Sequence, residues 1–363
     1  MLAGTLSRYF GLRFLGAVLA VFAGVLALIM LIDYIELMRR HAEVPNLSAL
    51  QVAKTSFYRV PQVAERIMPF CVLIGAMSCY LNLSRRLELV IARSAGVSAW
   101  QFILPAIVVA FVFGILATTV YSPLAAIMFE RSKQLEAEIS GERSAGPQSN
   151  TGGFWVRQPT GAGQSIINAA STREQGLVLD TVSVFSFDQA GKFVERIEAK
   201  SAILEKGHWR LDDARIVSLN SPPTERDTYL LPTSLSPEQV RESFATPETV
   251  PFWELPQYIE TAENARLAAA GFRLQYQKLL ARPFLLTAMV LLAAAFSLRF
   301  FRFGGVQKMV LGGITAGFLL YVISKVTDDL SKAELIYPAA AAWLPVLFGG
   351  ATGVVALLYS EDG

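Results

Sequence analysis

The stretch RRLELVIARSAGVSAW, residues 85–100, places four charged side chains between two long apolar segments of the chain. Arginines on so short a segment could meet anionic lipid headgroups at a membrane surface. Glu88 argues against that interpretation, because an acidic group gains nothing at an anionic surface. The same residues could instead form a docking helix for another protein, and the pattern by itself leaves both alternatives open.

Local signals predict that this charged stretch is a helix of its own. Ser98 and Gln101 fit a capping box, in which the serine accepts from the backbone N–H three residues on and the glutamine reaches back. Gly96 suits the left-handed residue that ends a preceding helix. We therefore predict a separate short helix over residues 85–95. The apolar residues that share one side of this helix at helical spacing are Leu87, Val90 and Ile91.

Arg39 and Arg40 are a second candidate functional site, and they lie just past the end of the first apolar segment. Arginine side chains match phosphate oxygens bidentately, so the pair is a candidate phosphate-binding site. The alternative is ordinary snorkelling of long basic side chains at a membrane interface. Asp33 and Glu36 lie nearby in the sequence and weaken the case for a strong phosphate clamp.

Catalytic and metal-binding patterns do not support an enzyme. We find no GxxxxGK[ST] phosphate loop, no G-x-S-x-G elbow, no HExxH and no convincing pair of catalytic carboxylates. The only histidines, His41 and His208, belong to no cluster with metal-ligand spacing. The two cysteines, Cys71 and Cys79, share one apolar run and are expected to be small buried hydrophobic residues.

The composition of the chain is that of a membrane protein. Its 363 residues are 53% hydrophobic and 17% charged, and the mean hydropathy is +0.42, which is too apolar for an ordinary soluble protein. The net charge is only +2, and no basic run with interleaved aromatics marks a nucleic-acid surface. We predict six membrane helices in a 3+3 plan. Their charge-free segments cover residues 14–32, 68–84, 94–129, 283–298, 309–324 and 335–360.

Six crossings would place both termini on the same side of the membrane. The first segment is too long for the apolar part of a signal peptide and no small-residue cleavage site follows it, so we predict an uncleaved helix. Basic residues then mark the side of the termini as cytoplasmic. These residues are Arg8, Arg13, Arg85, Arg86, Arg93, Arg299, Arg302 and Lys308.

Charged residues and prolines in the predicted spans are expected to have structural rather than functional roles. Lys325, Asp328 and Asp329 come at the outer end of the fifth span and are expected to be solvated or to pair with one another, although contact with a substrate is the alternative. Pro105 and Pro345 are expected to kink their helices, which membrane helices tolerate where neighbours satisfy the freed backbone groups.

Between the third and fourth spans the composition changes to that of a soluble domain. Alternating runs with turn signals at Gly191 and Gly207 predict a small antiparallel β-domain over residues 130–255. Prolines from position 222 to position 251 predict an extended arm at its exit. The flanking parts are residues 1–129, with three membrane helices and the short helix, and residues 256–363, with a linking helix and three more membrane helices.

Five motifs in this order resemble the LptF/LptG family of lipopolysaccharide export permeases. They are LSRYFGLRFL near the start, LIDYIELMRR at the end of the first span, LELVIARSAGVS in the charged stretch, YQKLLARPF before the fourth span and WLPVLF in the sixth. Together they cover essentially the whole chain. The likeness is closer to the LptG branch of the family than to the LptF branch.

The resemblance implies a fold and a location. The expected fold is six transmembrane helices with an inserted periplasmic antiparallel β-jellyroll, in the cell inner membrane, with both termini cytoplasmic. Residues 85–96 would be a coupling helix that fits a groove of a separate ATPase, where Glu88 pairs with a basic residue and Gly96 forms the turn. The residues expected at this contact are Glu88, Leu87, Val90, Ile91, Arg93 and Gly96.

The resemblance also implies partners. An LptF-like half would complete a heterodimer, an LptB-like ATPase dimer would bind ATP and Mg, and an LptC-like membrane-anchored periplasmic protein would receive lipopolysaccharide. This chain itself would bind no cofactor. Two alternatives are that the chain is the LptF half, or that it is a membrane-anchored periplasmic scaffold without transport activity. A scaffold would have no need of a cytoplasmic coupling helix.

Overall fold

A computed structural model gives the fold of most of the chain. The chain divides into two compact units, one made of Met1–Lys133, Pro247–Ile259 and Ala268–Gly363 and the other of Gln134–Thr246 and Glu260–Leu267. The structure describes residues 2–41, 48–94, 96, 98–140, 154–160, 163–173, 176–188, 191–218, 221–233, 240, 246–264, 269–301 and 306–361.

The first unit is helical. Its amino-terminal elements are α1 (Leu2–Arg40), α2 (Ala49–Arg85), α3 (Glu88–Ser94), α4 (Ala99–Leu116), a π-helix (Ala117–Tyr121) and α5 (Ser122–Ser140), which continues into the second unit from Gln134. Its carboxyl-terminal elements are α6 (Leu255–Asn264), which continues into the second unit from Glu260, α7 (Ala270–Phe301), α8 (Val306–Lys332) and α9 (Pro338–Glu361). Six helices among the described residues are long and apolar enough to cross a membrane, with α4, the π-helix and the start of α5 forming one of them. The prediction of six spans is confirmed.

Helix α7 lies at the centre of the helical unit, where α2, α4, α8 and α9 all pack against it. Glycines let the surrounding helices approach closely, as small residues do in membrane bundles. Gly317 of α8 faces Leu73 of α2, and a Cβ added to this glycine would clash with the leucine side chain. The backbone of α8 therefore packs directly against the Leu73 side chain.

Pro283 interrupts the hydrogen bonding of α7, because a proline has no N–H to donate to the carbonyl four residues before it. That carbonyl belongs to Leu279, and the Thr118 hydroxyl of the π-helix donates to it over 2.9 Å. Gly114, one turn before the π-helix, packs directly on Pro283. The third and fourth spans are thus joined where the proline would otherwise leave a buried acceptor without a donor.

The same arrangement recurs at Pro345 in α9. The carbonyl freed by this proline is that of Ala341, and the buried Thr327 hydroxyl of α8 donates to it over 3.1 Å. A neighbouring helix thus satisfies the backbone group freed by this proline, the condition under which membrane helices tolerate proline. Two hydroxyl-bearing side chains therefore connect adjacent membrane helices at proline sites.

The described residues of the second unit contain an antiparallel sheet. Its strands β1 to β6 are Phe154–Thr160, Gly163–Arg173, Val178–Asp188, Phe193–Glu205, His208–Ser218 and Ser221–Pro232. The described strands pair in sequential order, each with its neighbours in the chain. The prediction of an inserted antiparallel β-domain is confirmed. Because short connections pair each strand with the next, these strands follow a meander rather than the two Greek keys of a full jellyroll.

Strand β6 differs from the sequence prediction, since part of the expected proline-rich arm is a β-strand. Pro222 and Pro223 stand at its beginning and Pro232 at its end, which an edge strand tolerates because half of its N–H groups face away from the sheet.

Tyr229 of β6 lies between these prolines and approaches Glu195. Burial, together with the neighbouring carboxylate, raises the pKa of the Tyr229 phenol, so it stays protonated and can donate.

Candidate functional site

The charged stretch forms a separate helix between α2 and α4, as predicted, but a shorter one than expected. Helix α3 spans Glu88–Ser94, and Leu87 lies before it in the left-handed region with φ 63°. The Leu87 N–H donates to the Ser84 carbonyl at the end of α2, and the Leu87 carbonyl accepts from Ile91. A leucine therefore stands where a glycine usually ends a helix, a conformation that costs about 1–2 kcal/mol.

The carboxyl end of the segment has the predicted turn chemistry. Gly96 has φ 83°, as expected of a left-handed residue. The Ser98 hydroxyl accepts from the Gln101 N–H at 3.4 Å, and the Ser98 N–H donates to Gln101 Oε1 at 3.3 Å. The predicted capping box is confirmed. Helix α3 is thus bounded by a left-handed leucine and a left-handed glycine.

The side chains of α3 divide into an inner and an outer set. Leu89 is buried in the hydrophobic core of the helical unit, which fixes the helix against the bundle. Leu87 and Ile91 are exposed apolar residues that could contact a partner or a membrane surface. The side chains of Val90 and Arg93, two other residues predicted for this contact, lie outside the described part of the structure.

Glu88 is held by a residue that the sequence analysis did not assign to the site. The Tyr9 hydroxyl of α1 donates to Glu88 Oε2 over 3.1 Å. The guanidinium of Arg13 lies over the Tyr9 ring, 5.2 Å from its centroid. Tyr9 belongs to the motif LSRYFGLRFL, but nothing in the sequence predicts its contact with a residue 79 positions away.

The predicted phosphate-binding arginines both contact Glu36 on the same face of α1. Arg39 lies 2.9 Å and Arg40 2.8 Å from the Glu36 carboxylate, and both guanidiniums are exposed. Arg59 of α2 lies 3.5 Å from Asp33, the second acidic residue noted in the sequence. The carboxylate of Glu36 offsets one of the two positive charges, so the pair presents one net positive charge to an incoming anion.

The charged residues at the end of α8 form ion pairs, as the sequence analysis favoured. Lys325 lies 3.1 Å from Asp329, and Asp328 lies 2.6 Å from Lys278 of α7. Asp328 is therefore paired with another helix rather than with Lys325. The contact of Asp328 with Lys278 ties α8 to the central helix at that end.

A buried ion pair connects α2 with α7 in the interior of the helical unit. Arg282 and Glu65 lie 2.5 Å apart, with side chains only 14% and 4% exposed. Sequence reasoning missed this pair because the two residues belong to different spans. The only sequence signal was an ionisable residue inside each membrane-length helix, which marks a functional position by default.

Comparison with known proteins covers nearly the whole chain. The model of the family described as Lipopolysaccharide export system permease LptF/LptG matches residues 8–359. The chain belongs to the LptF/LptG family. It is 23% identical to the lipopolysaccharide export system permease protein LptG of Haemophilus influenzae, over 95% of this chain and 93% of that protein. It is 21% identical to LptG of Escherichia coli K12, over 94% of both chains.

As an LptF/LptG permease, the chain is a multi-pass protein of the inner membrane, and α1 and α8 are the least buried of the six candidate membrane helices among the described residues. A membrane helix satisfies an exposed apolar face either with lipid or with another helix. The exposed apolar residues of α1 include Leu12, Leu19, Leu28, Leu31, Ile32 and Ile35. Those of α8 include Leu311, Ile314, Phe318, Leu319, Tyr321 and Val326.

Proposed function

We propose that this chain is the LptG half of a transporter that extracts lipopolysaccharide from the inner membrane, driven by a separate ATPase subunit. The observation that carries the proposal is α3, a short charged helix set apart between two membrane spans of a chain that matches the LptF/LptG family from residue 8 to residue 359. The similarity to proteins named LptG supports the choice of that half.

Extraction of a multi-acylated lipid requires both an apolar site and a source of work. Burial of each CH₂ in the bilayer stabilises the lipid by about 0.8 kcal/mol. Removing one acyl chain of about a dozen carbons from the membrane therefore costs on the order of 10 kcal/mol. The exposed faces of α1 and α8 support an LptF-like partner that closes an apolar cavity with this half. Substrate would enter laterally, past α1 and the corresponding gate helix of the partner.

The work would come from an LptB-like ATPase dimer that contacts α3 on the cytoplasmic side. ATP and Mg would be bound there, since the sequence of this chain has no phosphate loop. Glu88 offers a carboxylate for a basic side chain of the ATPase, and Leu87 and Ile91 offer exposed apolar surface beside it. An LptC-like protein would receive the lipid on the periplasmic side, where the β-domain would lie.

Reconstitution tests this proposal. The full chain is co-expressed with LptF-like and LptB-like subunits, purified in detergent, and assayed for ATP hydrolysis with and without added lipopolysaccharide. We expect the three proteins to purify together and the hydrolysis rate to change with lipopolysaccharide, whereas phospholipid at equal acyl-chain concentration has no such effect. A complex without the ATPase, or one equally affected by both lipids, would favour a scaffold.

For phosphate binding we expect Arg39→Glu combined with Arg40→Glu to lower photo-crosslinking of lipopolysaccharide to this chain several-fold. Charge reversal at both positions replaces two hydrogen-bond donors to phosphate with carboxylates that repel it. The pairing with Glu36 supplies a control of opposite sign, because Glu36→Gln removes the negative charge beside both guanidiniums and should maintain or increase crosslinking. Undiminished crosslinking of the double variant would remove these arginines from the substrate site.

A further inference from the structure

The hydrogen bond between Tyr9 and Glu88 connects the beginning of α1 with the beginning of α3. The Tyr9 hydroxyl donates to Glu88 Oε2 over 3.1 Å. A carboxylate has two oxygens and about four acceptor positions, so the tyrosine fixes the orientation of the group while Oε1 can still accept from another donor. The contact therefore presents Glu88 without using up its capacity to bind.

The tyrosine is itself held in place from two sides. The Arg13 guanidinium lies over its ring at 5.2 Å, and the next residue, Phe10, meets it edge-on with ring centroids 5.8 Å apart. Phe10 is buried in the core of the helical unit and faces Phe102 of α4. The attraction of the cation to the ring face also helps to keep the tyrosine in this position.

We propose that Tyr9 is a positioning residue for Glu88, which it orients toward a basic side chain of the ATPase while linking α3 to α1. The proposal rests on the function proposed above, in which the ATPase contacts α3. A carboxylate already ordered by one hydrogen bond loses less side-chain freedom when the second partner binds, so the complex is tighter. The same bond links α3 to α1, one of the helices with a long exposed apolar face.

The hydrogen bond from Tyr9 to Glu88 can be tested by removing a single oxygen atom. Tyr9→Phe removes the hydroxyl and retains the ring, so contacts with Arg13 and Phe10 persist. Tyr359→Phe is the matched control, because Tyr359 is an exposed tyrosine near the end of α9 in the same helical unit. Any effect specific to Tyr9→Phe then belongs to the hydrogen bond rather than to loss of a phenol.

The experiment is a double-mutant cycle on the affinity of the purified LptB-like ATPase for the detergent-purified permease pair. The cycle contains Tyr9→Phe, Glu88→Gln and the double variant, with Tyr359→Phe alongside. We expect Tyr9→Phe to weaken binding roughly 3- to 10-fold, because the Glu88 side chain then loses more freedom when the ATPase binds. The double variant should bind no more weakly than Glu88→Gln, since the tyrosine acts through the glutamate.

Thermal unfolding of the permease pair without the ATPase separates positioning from a purely structural role. A lower Tm for Tyr9→Phe with wild-type affinity would overturn the proposal, as would full additivity with Glu88→Gln. If Glu88→Gln weakens binding and Tyr9→Phe does not, only the role of Tyr9 fails. If neither variant affects binding, the contact of the ATPase with Glu88 fails and the role of Tyr9 fails with it.

Discussion

Glu88→Lys is expected to abolish co-purification of the ATPase subunit with this chain. Loss of one partner of a hydrogen-bonded charge pair at an interface costs about 2–5 kcal/mol, which corresponds to roughly 30- to 4,000-fold in affinity. Reversal of the charge adds repulsion between like charges, so the effect should reach the upper part of this range. The measurement is the ratio of ATPase to permease after affinity purification of the tagged permease.

A matched control is available in the same unit. Glu254 is an exposed acidic residue in the turn before α6, and Glu254→Lys changes the net charge of the chain by the same amount. It should leave the ratio unchanged, and a basic-to-acidic substitution in the ATPase groove should partly restore binding to Glu88→Lys. Unaltered co-purification of Glu88→Lys would exclude this glutamate from the contact and leave the rest of α3 to be tested.

The parts of this site that could be predicted from the sequence are those set by local interactions. Gly96, Ser98 and Gln101 lie within a few residues of one another, and their turn and capping chemistry depends on that spacing alone. The membrane helices could be predicted for a similar reason, since each is defined by the composition of one continuous segment. Leu87 is the local exception, because its left-handed conformation contradicts the preference of its residue type.

Contacts between distant segments could not be predicted. Tyr9 and Glu88 are 79 residues apart, and Thr118 and Leu279 are 161 apart, so their pairing depends on how the helices pack. Strand β6 shows that residue preference alone is not sufficient. Its prolines predicted an extended arm, but a strand at the edge of a sheet tolerates proline. Long-range packing is the information that composition and spacing do not contain.

Arg282→Leu is expected to lower the Tm of the purified permease strongly. The substitution leaves the Glu65 carboxylate, only 4% exposed, without its ion-pair partner inside the helical unit. Breaking a buried ion pair by removing one partner typically costs about 3–5 kcal/mol. Arg66→Leu is the matched control, because Arg66 is exposed and lies 3.7 Å from Glu248, a surface pair worth about 0–1 kcal/mol.

Replacing both residues separates the stability of the ion pair from its function. Glu65→Leu combined with Arg282→Leu leaves no unpaired charge, and such replacements are often neutral or stabilising by about 1–4 kcal/mol. The double variant should therefore recover a Tm close to that of the unmodified permease. If the single variant is as stable as the unmodified permease, the pair is not buried as described. A stable double variant that has lost lipopolysaccharide-dependent ATP hydrolysis would show that the charges serve transport, as intramembrane ionisable residues commonly do.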